Sequence, residues 1–311
     1  MSKMTERRKQ RNEYRSWKKG YYHLSTDGWK EGCLFHTPAQ YAYGMILIGL
    51  LVLKYSLKIY SFSLMPNHIH LVLCATGNAC VEAFDYFRKK INERLVKDGY
   101  PPLPPDYGFN LAPITTEKQM RNNIIYVDRN VLEKQICVPG GYPWSSCYLQ
   151  FGQVESLLGG VRAGSMSQRH LRELTGSHEE IPADWLFHPV VGLLPSSFVD
   201  NSMFHKLFRT PKEYMTHLVK DYEAFVEVAN LLNETPEYSK DEADDLVQKL
   251  LRESFSGRRL NSLTNDEKGR LAVLLSQHYQ MSADQIAEVL KLPPYLVNQF
   301  LNAKDYGKKK R

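Results

Sequence analysis

The chain lacks any apolar stretch long enough to cross a membrane as a helix. Its longest run, residues 45–53 (Met-Ile-Leu-Ile-Gly-Leu-Leu-Val-Leu), is about half the length such a span needs and predicts a buried helix instead. No signal peptide is evident, because the charged N-terminus has no apolar segment behind it. The five cysteines (Cys33, Cys74, Cys80, Cys137, Cys147) are odd in number and contain no Cys-x-x-Cys. That excludes a zinc ribbon, disfavours a disulfide framework and predicts reduced thiols in a cytoplasmic protein. There is no Gly-rich phosphate loop, so chemistry driven by ATP is not expected. Internal repeats are absent, as are low-complexity tracts other than two basic ends.

What is present describes a folded protein. With 311 residues, 43% hydrophobic and 12% aromatic, the chain suffices for two domains and a sizeable core. The formal charge of +6 is unevenly spread: the first twenty residues hold eight Lys or Arg against two Glu, and residues 308–311 are Lys-Lys-Lys-Arg. Basic ends suit a polyanionic partner, although such tails are more often merely solvated.

Residues 65–73, Met-Pro-Asn-His-Ile-His-Leu-Val-Leu, are the most informative stretch. Side chains alternate across a strand, so Ile69, Leu71 and Leu73 turn toward a core while His68 and His70 stand together on the other face. Neighbouring imidazoles on a rigid strand make half of a metal site. A bare His-x-His also fits a half-buried strand that simply carries two histidines.

Around this stretch the pattern is regular. Residues 21–26 read as a first strand, closed by Asp27-Gly28. Thr37 and Pro38 supply an N-cap and a first-turn proline for a helix to about Tyr55. Residues 57–64 and 67–74 read as two strands joined by a tight turn, close enough to form a hairpin. A helix follows over 79–97, with Phe84, Phe87, Ile91 and Leu95 at helical spacing. Residues 99–113 carry five prolines and read as a loop with a short strand near Phe109. The order predicts an α+β fold: a ferredoxin-like antiparallel sheet with helices on one face.

A further helix is expected over 116–132, its start fixed by a capping box of Thr116 and Gln119. Met120, Ile124, Val127 and Val131 form its core-facing stripe. Tyr126 and Asn130 stack one turn apart beside that stripe, with Asn123 on the same side and Arg129 roughly opposite. Taken alone, this is an amphipathic helix with ordinary boundary residues.

The two elements together resemble the single-tyrosine HUH transposases, whose name denotes His-hydrophobic-His. Residues 142–148, Tyr-Pro-Trp-Ser-Ser-Cys-Tyr, resemble a segment of their REP-associated branch. The resemblance spans about residues 14–152. It departs from the family where Asn130 is followed by Val131 instead of proline, but the Tyr-to-Asn spacing is kept. The resemblance implies that Tyr126 is the nucleophile of single-stranded DNA cleavage, forming a 5′-phosphotyrosine and releasing a 3′-hydroxyl. It implies His68 and His70 as metal ligands with Asn130 as the third, and Mg²⁺ or Mn²⁺ as the ion. Single-stranded or hairpin DNA would be the partner of a monomer or homodimer, in the cytoplasm and at the nucleoid of a bacterium. No general base is named by the sequence.

The implied organisation is a basic arm (1–20), an HUH catalytic domain (21–152), a linker and helical region (153–260), a helix-turn-helix-like unit (261–303) and a basic tail (304–311). In the helical region, residues 214–232 and 241–251 read as helices. In the last unit, Thr264 with Glu267 and Ser282 with Gln285 read as capping boxes, and Leu296, Val297, Phe300 and Leu301 mark a final helix. That helix resembles a reader helix, which makes Tyr295, Asn298, Gln299 and Asn302 candidate base or phosphate contacts. It is not strongly basic, and a small bundle serving stability or protein contacts is the plain alternative. Two rival functions remain: a non-catalytic DNA-binding regulator derived from a transposase, and an HUH replication initiator or relaxase.

Overall fold

The computed structural model describes residues 3–29, 32–133, 141–149, 159–220, 222–232, 234–236 and 238–303. The expected basic tail, the first residues of the expected linker (153–158), Cys137 and the Tyr148 side chain lie outside them. The chain divides into two compact units, Met1–Val131 with Ile136–Leu218, and Leu132–Gln135 with Val219–Arg311.

The first unit opens with helix α1 (Lys3–Arg15), followed by β1 (Gly20–Thr26), α2 (Pro38–Tyr55), β2 (Lys58–Leu64), β3 (Ile69–Ala75), α3 (Gly77–Lys97), β4 (Phe109–Ile114) and α4 (Glu117–Glu133). The strands form one antiparallel sheet in the order β2-β3-β1-β4. Local chemistry sets the helix ends as expected: Thr37 caps α2 through the Gln40 N–H, Pro38 fills its first turn, and Ser56 ends it in the left-handed region. One face of the sheet carries the core. Leu24 of β1, Leu71 of β3, Leu51 of α2, and Phe84 and Phe87 of α3 are all nearly or fully buried there. Burying each such side chain contributes about 1.5–3 kcal/mol.

Both sheet edges are covered, which removes templates for further strand pairing. Along β2 runs the Tyr142-to-Cys147 segment: Leu64 N–H donates to the Trp144 carbonyl (3.0 Å), Ser146 N–H to the Phe62 carbonyl (3.0 Å), and Tyr142 O–H to the Leu64 carbonyl (2.6 Å). Along β4 lies α1, with Leu111 N–H donating to Tyr14 Oη (3.2 Å) and Arg7 to the Phe109 carbonyl (3.3 Å). Much of the expected basic arm is therefore an ordered helix. Tyr14 is buried, Arg7 pairs with Asp27 and Arg11 with Asp85.

Two expectations need correction. The sheet does not have its helices on one face: α2 and α3 pack on the core face, whereas α4 packs against the histidine face through His23, His70, Asn123 and Tyr126. The region after 159 is not uniformly helical. Strands β5 (Val161–Arg162), β6 (Leu186–His188) and β7 (Gly192–Leu193) form a small antiparallel sheet packed on α2. Strands of two or three residues are too short for any period to register. Gly192 sits at φ +88°, and a Cβ there would lie 2.3 Å from the Ala42 carbonyl oxygen, so only glycine permits this approach. Helices α5 (Gln168–Thr175), α6 (Ser202–Leu207) and α7 (Pro211–Lys220) complete this stretch; the helix expected over 214–232 is helical on both sides of residue 221, which lies outside the described residues, as α7 before it and α8 (Tyr222–Leu232) after it.

The second unit is helical among its described residues: α8, α9 (Lys240–Ser254), α10 (Asn265–Tyr279), α11 (Ala283–Leu290) and α12 (Pro294–Asn302). Thr264 and Glu267 form the expected reciprocal capping box. The second expected box is half made. Ser282 accepts from Gln285 N–H, but the Gln285 side chain donates to the Tyr238 carbonyl (2.8 Å). Leu271, Leu275, Ile286, Leu290, Val297 and Phe300 are buried between α10, α11 and α12. A Cβ on Gly269 would meet the Phe300 ring at 2.8 Å, which shows how closely α10 and α12 approach.

Candidate active site

The turn that presents the histidines is closed by Met65 N–H donating to the His68 carbonyl (2.9 Å), with Pro66 as its second residue. The loop before α2 clamps it, since Trp29 N–H donates to the Asn67 carbonyl (3.1 Å) and Leu34 N–H to the Pro66 carbonyl (2.6 Å). Thr26 pins the strand between the two histidines: its Oγ1 accepts from Ile69 N–H (3.0 Å) and from Tyr107 O–H (2.7 Å). Ile69, Leu71 and Leu73 enter the core, and His68 and His70 lie on the other face, buried to 9% and 0% exposure.

Helix α4 supplies the rest. Thr116 Oγ1 accepts from Gln119 N–H (3.1 Å), while the Gln119 side chain accepts from Thr115 N–H (2.8 Å) one residue earlier than expected. Met120, Ile124, Val127 and Val131 are buried as predicted. So are Asn122, Asn123, Tyr126, Asp128, Arg129 and Asn130, which the amphipathic pattern left at the boundary or outside. The cause is distant in sequence. Arg129 donates to the Leu218 carbonyl (2.8 Å), and Tyr214 O–H donates to Asp128 Oδ2 (2.9 Å) while lying 3.2 Å from Cys147 Sγ. Helix α4 is thus sandwiched, with Asn123 held from the sheet side and Asp128 and Arg129 from the other.

The sandwich brings the predicted residues together. The Tyr126 ring, 3% exposed, packs edge-on to His70 with centroids 5.5 Å apart. Asn130 Oδ1 lies 3.5 Å from His68 Nε2. Asn130 Nδ2 donates to the Tyr126 carbonyl (2.9 Å), which leaves the carbonyl oxygen of the amide turned toward the histidines. On the other side of His68, Asn67 Nδ2 donates to the Trp29 carbonyl (3.3 Å), so Asn67 Oδ1 is the atom 2.8 Å from His68 Nδ1. That nitrogen therefore carries the proton, and His68 Nε2 presents a lone pair beside the Asn130 oxygen.

Burial holds His70 well below the ordinary histidine range, helped by its neighbours His68 and His23, with Asn130 opposing. It is a neutral imidazole at pH 7, as a ligand nitrogen must be. Ser25, directly opposite His70 in the β1–β3 register, is fully buried with no hydrogen-bond partner for its hydroxyl among the described residues. Two imidazole nitrogens, an amide oxygen and a nearby orphaned hydroxyl fit a divalent cation of mixed N/O preference such as Mg²⁺ or Mn²⁺. Among the described residues, no group of three or more His, Cys, Asp or Glu is arranged to hold a metal; this set relies on an amide.

His23 and Asn123, given no role in the sequence reading, belong to the same cluster. His23 of β1 is fully buried, with Nδ1 2.7 Å from Asn123 Oδ1 and Nε2 3.0 Å from His70 Nδ1. Burial lowers its pKa to about 4, against the opposing hydrogen bond that it makes to Asn123. The alternation of Tyr22, His23 and Leu24 places His23 on the histidine face, but only the strand register sets it diagonally across from His70. Tyr295, Asn298, Gln299 and Asn302 belong to the other compact unit. All four are exposed on α12, where Val297 and Phe300 face inward.

No protein-family profile matches the chain, and no curated protein matches it. Among solved structures, one similar chain is a REP-associated tyrosine transposase bound to a REP hairpin. It is 16% identical over 44% of this chain and 82% of that one, with a TM-score of 0.36. Among the described residues, no helix is long and apolar enough to cross a membrane.

Proposed function

We propose that this protein is a metal-dependent DNA transesterase of the single-tyrosine HUH type, acting on single-stranded DNA that forms hairpins. The convergence of Tyr126 with His68, His70 and Asn130 is the observation that supports this reading best. His68 and Asn130 are 62 positions apart in the chain, yet Asn130 Oδ1 lies 3.5 Å from His68 Nε2 and the Tyr126 ring packs against His70, which supports the reading. The β-α-β-β-α-β order and the β2-β3-β1-β4 sheet are consistent with the ferredoxin-like arrangement expected of that class.

In this reading the Tyr126 oxygen attacks a backbone phosphorus and loses its proton. The bond to the 3′ oxygen breaks, that oxygen takes up a proton, and the 5′ phosphate remains on Tyr126. One phosphodiester replaces another, so no ATP is consumed, and a second 3′-hydroxyl reverses the step on another strand. His68, His70 and Asn130 would hold Mg²⁺ or Mn²⁺, which supplies neutralisation of the charge that develops on the phosphate. The amide-to-carbonyl bond from Asn130 to Tyr126 fixes the ligand relative to the nucleophile. Burial of the cluster keeps bulk water from competing for the phosphotyrosine. With Tyr126 only 3% exposed, the strand reaches the phenol only when the chain around α4 gives way. The exposed residues of α12 are assigned to DNA contact outside the chemical step.

Incubating the protein with hairpin oligonucleotides and Mn²⁺ should give a protein–DNA adduct that survives denaturation. His68→Ala combined with His70→Ala should eliminate it at every Mn²⁺ concentration. Undiminished adduct from that variant would refute the ligand assignment.

A further inference from the structure

The hydrogen-bond chain behind His70 has a direction that the distances alone determine. Asn123 Nδ2 donates to the Gln119 carbonyl (2.7 Å), and a carbonyl can only accept, so the amide oxygen must be the atom facing His23. His23 Nδ1 therefore carries a hydrogen. His23 is a neutral imidazole, because it is fully buried and its only polar contacts in these bonds are an amide and another imidazole. Its Nε2 is then an acceptor, and the 3.0 Å contact to His70 Nδ1 is a hydrogen bond donated by His70. One proton on each ring is thereby assigned, and His70 Nε2 is left with its lone pair.

Building on the reading of His70 as an ion ligand, we propose that His23, aligned by Asn123, is a positioning residue that locks His70 in the Nδ1–H tautomer and so presents Nε2 for metal binding. The relay occupies the position that a carboxylate or backbone carbonyl usually takes behind a metal-bound histidine. Here the outermost fixed point is a helix carbonyl, that of Gln119, reached through two side chains. The arrangement ties α4 to the ligand from behind as well as from in front, since Asn123 and Asn130 both lie on that helix. A neutral imidazole in this place leaves the net charge beside the metal site unchanged, where a carboxylate would add a negative charge close to the substrate phosphate.

The test reads the proton directly in the metal-free, full-length protein. Long-range ¹H–¹⁵N correlation spectra of ¹⁵N-histidine-labelled protein at pH 7.5, with His70 assigned by the signal that His70→Gln removes, should show His70 protonated at Nδ1 and unprotonated at Nε2. A wild-type His70 protonated at Nε2 overturns the proposal without any variant. His23→Leu removes the acceptor. It should shift His70 toward the Nε2–H form and weaken Mn²⁺ binding, followed by loss of the free-ion electron paramagnetic resonance signal, about 10- to 100-fold. His23→Gln offers an amide oxygen in the same place and should restore the tautomer and most of the Mn²⁺ affinity. Unchanged tautomer and affinity in a folded His23→Leu protein would show that His23 only fills space. Failure of the transesterase reading looks different: Mn²⁺ binding and the tautomer would be as described, and no DNA adduct would form.

Discussion

Helices α4 and α12 carry the same residue types at helical spacing, a tyrosine accompanied by asparagines, and they use them in opposite ways. On α4, Tyr126, Asn123 and Asn130 are buried; the Asn123 amide is hydrogen-bonded on both its oxygen and its nitrogen, and Asn130 donates to the Tyr126 carbonyl while its oxygen faces His68. On α12, Tyr295 is 68% exposed, and Asn298, Gln299 and Asn302 are exposed beside it. Burying an amide without its hydrogen bonds costs about 1–3 kcal/mol, so polar groups survive in a packed layer only where geometry satisfies them. Exposed amides meet no such requirement. The α4 arrangement therefore says much more about chemistry than the α12 arrangement does.

The sharpest way to break that contrast is Tyr126→Phe. It removes one oxygen from the buried cluster and should cut adduct formation by about 10⁴-fold or more while leaving hairpin binding in place. Denaturing gels and a binding titration on the same preparation check both halves. An adduct of normal yield would move the nucleophile elsewhere.

Next in size is a pH effect on stability. His23 has its pKa lowered from 6.5 to about 4 in the folded protein, so between those values the unfolded chain binds the extra proton. The stabilisation is fully present above pH 6.5, declines as pH falls toward 4, and is lost below that. The total is on the order of 3 kcal/mol. Denaturant titrations of the metal-free protein from pH 7.5 to 4.5 should show the decline, and His23→Leu should make it shallower, leaving the part due to His70, whose pKa is also lowered by burial.

Tyr214→Phe tests the outer side of the α4 sandwich. It deprives buried Asp128 of a donor and should cost about 1–3 kcal/mol, measurable by denaturant midpoint. The smallest expected effect is on α12. Asn298→Ala with Gln299→Ala should leave stability within about 0.5 kcal/mol, yet weaken hairpin binding by about tenfold if this face reads bases. Unaltered binding would assign α12 to the helical bundle alone.

Much of the first unit was legible because its signals are local. The alternation of residues 69–73, the Thr37-Pro38 helix start and the stripe of Met120, Ile124, Val127 and Val131 each depend on a few neighbouring residues. His23 was not legible, because its role depends on pairing with a strand 47 positions away. The burial of Asp128 and Arg129 was hidden for the same reason: their partners, Tyr214 and the Leu218 carbonyl, lie 86 and 89 positions along the chain. The charge of the N-terminal segment concealed a helix whose Tyr14 and arginines fasten it to the β4 edge and to α3. The helix on the second face of the sheet could not be read from element order, because α4 follows the last strand of that sheet and no crossover fixes its side.

Tyr126 and Asn130 sit on successive turns of one helix, joined by a bond from the side chain of the second to the backbone of the first. In the proposed roles, attacking group and ion ligand travel as one body. Any pull on α4 that withdraws the phenol also takes a donor from the cation. Movement of this helix therefore weakens nucleophile placement and ion binding together.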